Sequence, residues 1–67
     1  MVGTKKIYVF PNMGYATYYP DEAAHTNQKV EVVENLTRID DVASSWLVRA
    51  EDGVEFRAFE DELHTIN

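Results

Sequence analysis

The 67-residue chain contains no cysteine. That excludes a disulfide framework and a thiolate metal centre. The exclusion matters at this length, because a domain of about 60 residues buries only about 60% of its unfolded surface and often relies on such cross-links. Packing alone has to hold the fold. Glycine and proline are scarce too, at three and two. There is no low-complexity run, no linker and no internal repeat. No stretch approaches the ~18 consecutive apolar residues of a membrane span, and Met1 to Phe10 lack an apolar run long enough for a signal peptide. The expectation is a cytoplasmic, soluble protein with no membrane partner.

Basic residues are short as well. Six Lys and Arg stand against twelve Asp and Glu, for a net charge of −6. A general nucleic-acid binder needs Lys and Arg to neutralise phosphates, so no direct nucleic-acid partner is expected. A negative surface keeps a small domain in solution and attracts a basic protein partner.

What the chain does contain is apolar and aromatic. Hydrophobic residues make up 45%, with four Tyr, three Phe and one Trp, enough for one core in one domain, residues 1–67. The strongest local signal is the hairpin around Asp52-Gly53. That dipeptide suits a two-residue type I′ turn, whose central residues both need φ > 0. Such a turn sets Glu51 opposite Val54, Arg49 opposite Phe56, Leu47 opposite Ala58 and Trp46 opposite Phe59. A first strand is predicted from Lys5 to Phe10, with Tyr8 and Phe10 on one face and Pro11 ending it. A second runs from Gln28 to Leu36, with Val30, Val32 and Glu34 on one face and Lys29, Glu31 and Val33 on the other, the alternation of a half-buried strand. Between them, Gly14 to Tyr19 are expected to be partly extended and Pro20 to Ala24 to make a turn or short helical turn. Asp40 to Ser45 read as a loop or a capped turn of helix. Phe59 to Leu63 suit a single 3₁₀ turn, followed by a short strand over His64 to Ile66. These elements define an all-β fold, a small barrel of about five short antiparallel strands.

The layout resembles the SH3-like barrel, a fold shared by SH3, KOW and Tudor domains and by many small bacterial and phage proteins. Lys29-Val30-Glu31-Val32-Val33-Glu34-Asn35 looks like the strand ending in a Val-Glu-Asn segment. Trp46-Leu47-Val48-Arg49 looks like the strand that opens on tryptophan, and Phe56 to Leu63 with His64-Thr65-Ile66 looks like the final strand, 3₁₀ turn and closing strand. Signalling members read proline-rich peptides in an aromatic groove. Here the residues that would line it differ: Ser45 stands at the groove tryptophan, Phe59 at the 3₁₀ proline and Glu62 at the following tyrosine. Tyr8 and Phe10 do not reproduce the usual Tyr-Asp-Tyr pattern. The resemblance thus implies the barrel without the proline-peptide site.

Two groups of residues are candidates for a protein-binding site. Tyr15, Tyr18 and Tyr19 form the densest aromatic patch and suit interface anchors, since tyrosine offers large contact area at small entropic cost. A cage for a cationic side chain is a second use, and packing over the end of the barrel the plainer one. Glu51, Asp52, Glu55, Glu60, Asp61 and Glu62 form an acidic cluster around Arg49 and Arg57. It reads as an acidic rim for a basic partner, as a mimic of nucleic-acid phosphates, or simply as solvated surface. His25 and His64 each follow carboxylates, but two distant histidines lack the spacing of a zinc site. No nucleophile motif, phosphate loop or catalytic carboxylate pair stands out, so neither enzymatic activity nor a cofactor is expected. The functional expectation is a protein-interaction module, of the kind found among bacterial or phage accessory and host-modulating proteins. It would be a monomer or weak homodimer. The alternative is an acidic nucleic-acid mimic that inhibits a DNA- or RNA-binding protein.

Overall fold

The computed structural model describes residues 1–66. Five antiparallel strands, β1 (Lys5–Tyr8), β2 (Gln28–Asn35), β3 (Ser45–Ala50), β4 (Glu55–Phe59) and β5 (Leu63–His64), form one sheet in the order β4-β3-β2-β1-β5. The sheet curls into a half-barrel, compatible with an SH3-like barrel. The connection from β1 to β2 carries a 3₁₀ turn, Met13–Tyr15, and one short helical turn, α1 (Pro20–Ala24). A second 3₁₀ turn, Glu60–Glu62, precedes β5.

Alternation along the strands builds the core. Val30 and Val32 of β2, Val48 and Ala50 of β3, Phe56 and Ala58 of β4, Tyr8 and Leu63 are all buried on the concave face. The Tyr8 ring meets Phe56 edge to face, with centroids 4.8 Å apart. A bulge between Val32 and Glu34 interrupts the pairing of β2 with β3. An extra residue in one strand increases local twist, which lets a long strand bend with the barrel wall.

The β3–β4 hairpin is present with a register one residue away from the expected one. Arg49 pairs with Glu55, Val48 with Phe56, Leu47 with Arg57, Trp46 with Ala58 and Ser45 with Phe59. The connection has three residues, Glu51 to Gly53, closed by Ala50 N–H donating to Val54 O at 2.8 Å and Gly53 N–H to Ala50 O at 2.9 Å. Only Gly53 of the three has positive φ, at 90°. A type I′ turn is therefore ruled out, and the geometry is that of a three-residue loop ending in a left-handed glycine. Core burial decides the matter. The two-residue turn would have placed Arg49 opposite Phe56 and on its face, whereas the slip by one keeps Val48 and Ala50 with Phe56 and Ala58.

The other departures lie in the long connection. β1 ends at Tyr8, because beyond it Val9 N–H donates to Glu62 O and Phe10 N–H to Thr26 Oγ1. Gly14 to Tyr19 are coiled rather than extended. Asn12 Oδ1 accepts from Gly14 N–H, and the amides of Tyr15, Ala16 and Tyr18 bond back to Asn12, Met13 and Tyr15. Among the described residues no strand runs alongside to take these amides, so local turn bonds satisfy them. Ser45 is wholly buried, so the position where the resemblance would put a groove tryptophan is inside the molecule. β5 is limited to Leu63 and His64.

Candidate functional site

The β1–β2 connection folds over the end of the half-barrel where β4 runs into the 3₁₀ turn. Between them lies a groove of about 380 Å³. Tyr8, Phe10, Tyr15, Tyr19 and Phe59 supply its aromatic lining, together with Glu22, Glu62 and Arg57. Local chemistry places each side chain. Asn12 starts the 3₁₀ turn that carries Tyr15. Tyr19 precedes Pro20, whose fixed φ and missing N–H suit the first position of α1, and Ala23 N–H closes that turn on Tyr19 O at 3.0 Å. Phe59 is the last residue of β4, on the face opposite Phe56 and Ala58, so the ring stays outside the core, 42% exposed.

The three candidate tyrosines are all exposed, Tyr18 most of all at 75%. Tyr15 and Tyr19 line the groove; Tyr18 does not. Its ring sits beside Tyr15, with centroids 6.4 Å apart. The acidic residues separate into two sets. Glu51, Asp52 and Glu55 belong to the β3–β4 turn and the start of β4, while Glu60, Asp61 and Glu62 follow its end. Phe56 to Phe59 of β4 lie between Glu55 and Glu60, a separation of roughly 17 Å at ~3.3 Å per residue. Glu55 is paired with Arg49 at 2.9 Å, and Asp52 with His25 at 2.8 Å. Of the six, only Glu62 reaches the groove.

Glu62 is half-buried there. Its Oε1 accepts from Phe59 N–H at 2.8 Å. Even so, burial pushes its carboxyl above the ordinary carboxylate range, assisted by the negative charges of Asp61 and Glu22. Burial also pushes the Tyr8 hydroxyl well above its usual value, and the charges of Glu62 and Glu22 add to the effect. Arg57 is the cation in the groove lining. Its guanidinium lies 5.5 Å from the Phe59 ring and 3.8 Å from Asp41.

His25 serves structure. It is 7% exposed, with Nδ1 2.6 Å from Asp21 O, Nε2 2.8 Å from Asp52 Oδ2 and its ring 5.6 Å from Phe56. The Asp21 carbonyl and the Asp52 carboxylate hold the imidazole above its ordinary pKa, and the contact with His25 holds Asp52 below its own. Among the described residues, no group of three or more His, Asp or Glu could hold a metal ion. Nor is any helix long and apolar enough to cross a membrane.

Of the candidate residues, Tyr15, Tyr19 and Glu62 line the groove; Tyr8, Phe10, Glu22, Arg57 and Phe59 line it as well and were not among the candidates. Phe59 carried a signal, since a large ring replaces proline at the turn. Glu22 carried none, because its place depends on how α1 packs. In class, the protein is a small all-β half-barrel with an open aromatic groove at one end. Comparison with known proteins finds no matching family model, curated protein or solved structure.

Proposed function

We propose that the protein is a non-enzymatic interaction module of SH3-like type that binds a segment of a partner protein in the groove between Tyr15, Tyr19, Phe10 and Phe59. The observation that carries this reading is the groove itself: five aromatic side chains from separate parts of the chain, Tyr8, Phe10, Tyr15, Tyr19 and Phe59, line one concavity. Exposed rings around a concave surface are what interface hot spots are made of, because they bury large area at small entropic cost. The strand order and the 3₁₀ turn before the last strand favour the SH3-like assignment. Phe59 and Glu62 in the lining distinguish the site from a proline-peptide reader. A bacterial or phage accessory role is in keeping with the small, acidic chain.

The alternative, an acidic mimic of nucleic acid, draws less support. Phosphate mimicry needs carboxylates in a row along one surface. Here the two acidic sets stand at opposite ends of β4, and Asp52 and Glu55 are already engaged by His25 and Arg49.

The test is a pull-down from bacterial lysate at low and high salt, with the wild-type chain and a Tyr15→Ala/Tyr19→Ala variant whose circular dichroism matches it. An aromatic interface predicts a partner that survives high salt and is lost in the variant. A nucleic-acid-binding protein released by salt and indifferent to the two substitutions would replace this reading with mimicry.

A further inference from the structure

Three groups in the groove lining, Tyr8, Glu22 and Glu62, are left unused by an aromatic interface. Tyr8 is 1% exposed, and none of the side-chain hydrogen bonds among the described residues involves its hydroxyl. It does not count among the buried unpartnered polar atoms, so the hydroxyl opens into the groove and is free to bond a ligand there. Glu62 and Glu22 are half-buried beside it, one from the 3₁₀ turn and one from α1, close enough for their charges to act on each other's surroundings and on the phenol. Neither carboxylate forms a salt bridge among the described residues. Two partly desolvated carboxylates without a cation are unfavourable, and a cation between them would relieve both. Arg57 does not fill that role, because its guanidinium is directed to Phe59 and Asp41.

We propose that Glu22, Glu62 and the Tyr8 hydroxyl form a subsite for an arginine side chain of the partner. The inference rests on the groove being the binding surface. A guanidinium suits the site better than an ammonium. It offers a planar set of five donors to several oxygens, sheds water more readily, and lies favourably against aromatic faces such as those lining this groove. The partner segment is therefore basic and carries an apolar or aromatic residue beside its arginine, the arginine for the carboxylates and its neighbour for Tyr15 and Tyr19.

Two peptides test this on the full ¹⁵N-labelled chain by chemical-shift titration: acetyl-Arg-Gly-Trp-amide and its citrulline counterpart, which keeps the shape without the charge. The arginine peptide is expected to bind at least about five-fold more tightly and to move the Tyr8, Glu22 and Glu62 amides. That preference should vanish in a Glu22→Gln/Glu62→Gln variant, where a glutamine oxygen still accepts from Phe59 N–H and a native-like spectrum reports folding. Equal binding of both peptides at Tyr15 and Tyr19 would overturn the arginine subsite and leave the groove standing. An arginine preference unchanged in the variant would also overturn it, by assigning the preference to net charge. Failure of both peptides to perturb any groove residue would overturn the subsite and the groove together.

Discussion

His25 shows how a single residue can tie two distant parts of a chain. Both ring nitrogens face oxygen acceptors, Asp21 O and Asp52 Oδ2, so the doubly protonated imidazolium satisfies the site and the neutral ring does not. The sign of the pH dependence follows. A histidine pKa raised on folding gives stability that is complete below the unfolded value of 6.5 and lost as pH rises through the folded value. Asp52, with its pKa lowered on folding, gives stability present above its unfolded value of 3.8 and lost as pH falls through the folded one. The link is therefore strongest between those limits and weakens on the alkaline side. Urea midpoints should fall between about pH 6 and about pH 8.5 in the wild type and change less in Asp52→Asn. The His25 titration, followed by NMR, should shift down in the same variant. An unchanged His25 titration would remove Asp52 from this account.

At the scale of elements, the longer strands were legible from their own alternation, whereas the hairpin register and the coiling of Gly14 to Tyr19 depended on what lies alongside. Val30 and Val32 fall on one face of β2 by a period of two that needs no knowledge of neighbours. The hairpin register needed more. Asp52-Gly53 is compatible with a two-residue turn in isolation, and only the demand that Val48 and Phe56 share a face selected the three-residue loop. Gly53 then carries the positive φ alone. Gly53→Ala should cost about 1 kcal/mol, since no neighbour crowds the new methyl but the left-handed conformation penalises it. Chemical denaturation measures this directly. A neutral result would mean that the loop has rearranged, and would reopen the register.

For the whole molecule, the eight buried residues on the concave face carry the fold with no disulfide behind them. A domain this size has a few kcal/mol to lose. Phe56 touches Tyr8 and lies near His25, so Phe56→Ala should cost about 3–5 kcal/mol and leave the chain largely unfolded by circular dichroism. The exposed Tyr15 and Tyr19 lie at the opposite extreme, and their alanine variants should keep the wild-type urea midpoint within about 0.5 kcal/mol. That contrast separates residues kept for folding from residues available for binding. If the tyrosine variants unfold, the groove is part of the core and the proposed interface fails.

The amino-acid sequence by itself determined the all-β class, the strands, the 3₁₀ turn before the last of them and the acidic surface. These follow from periodicity, turn-forming residues and composition, which act over a few neighbouring positions. Only the tertiary structure decided the hairpin register, the burial of Ser45, the pairing of His25 with Asp52 and the meeting of Glu22 with Glu62 beside Tyr8. Each of those depends on residues far apart in the chain, brought together by sheet curvature and by the packing of the long connection over the barrel end. A run of six acids in twelve positions looked like one cluster, yet an extended strand of five residues carried its two ends apart.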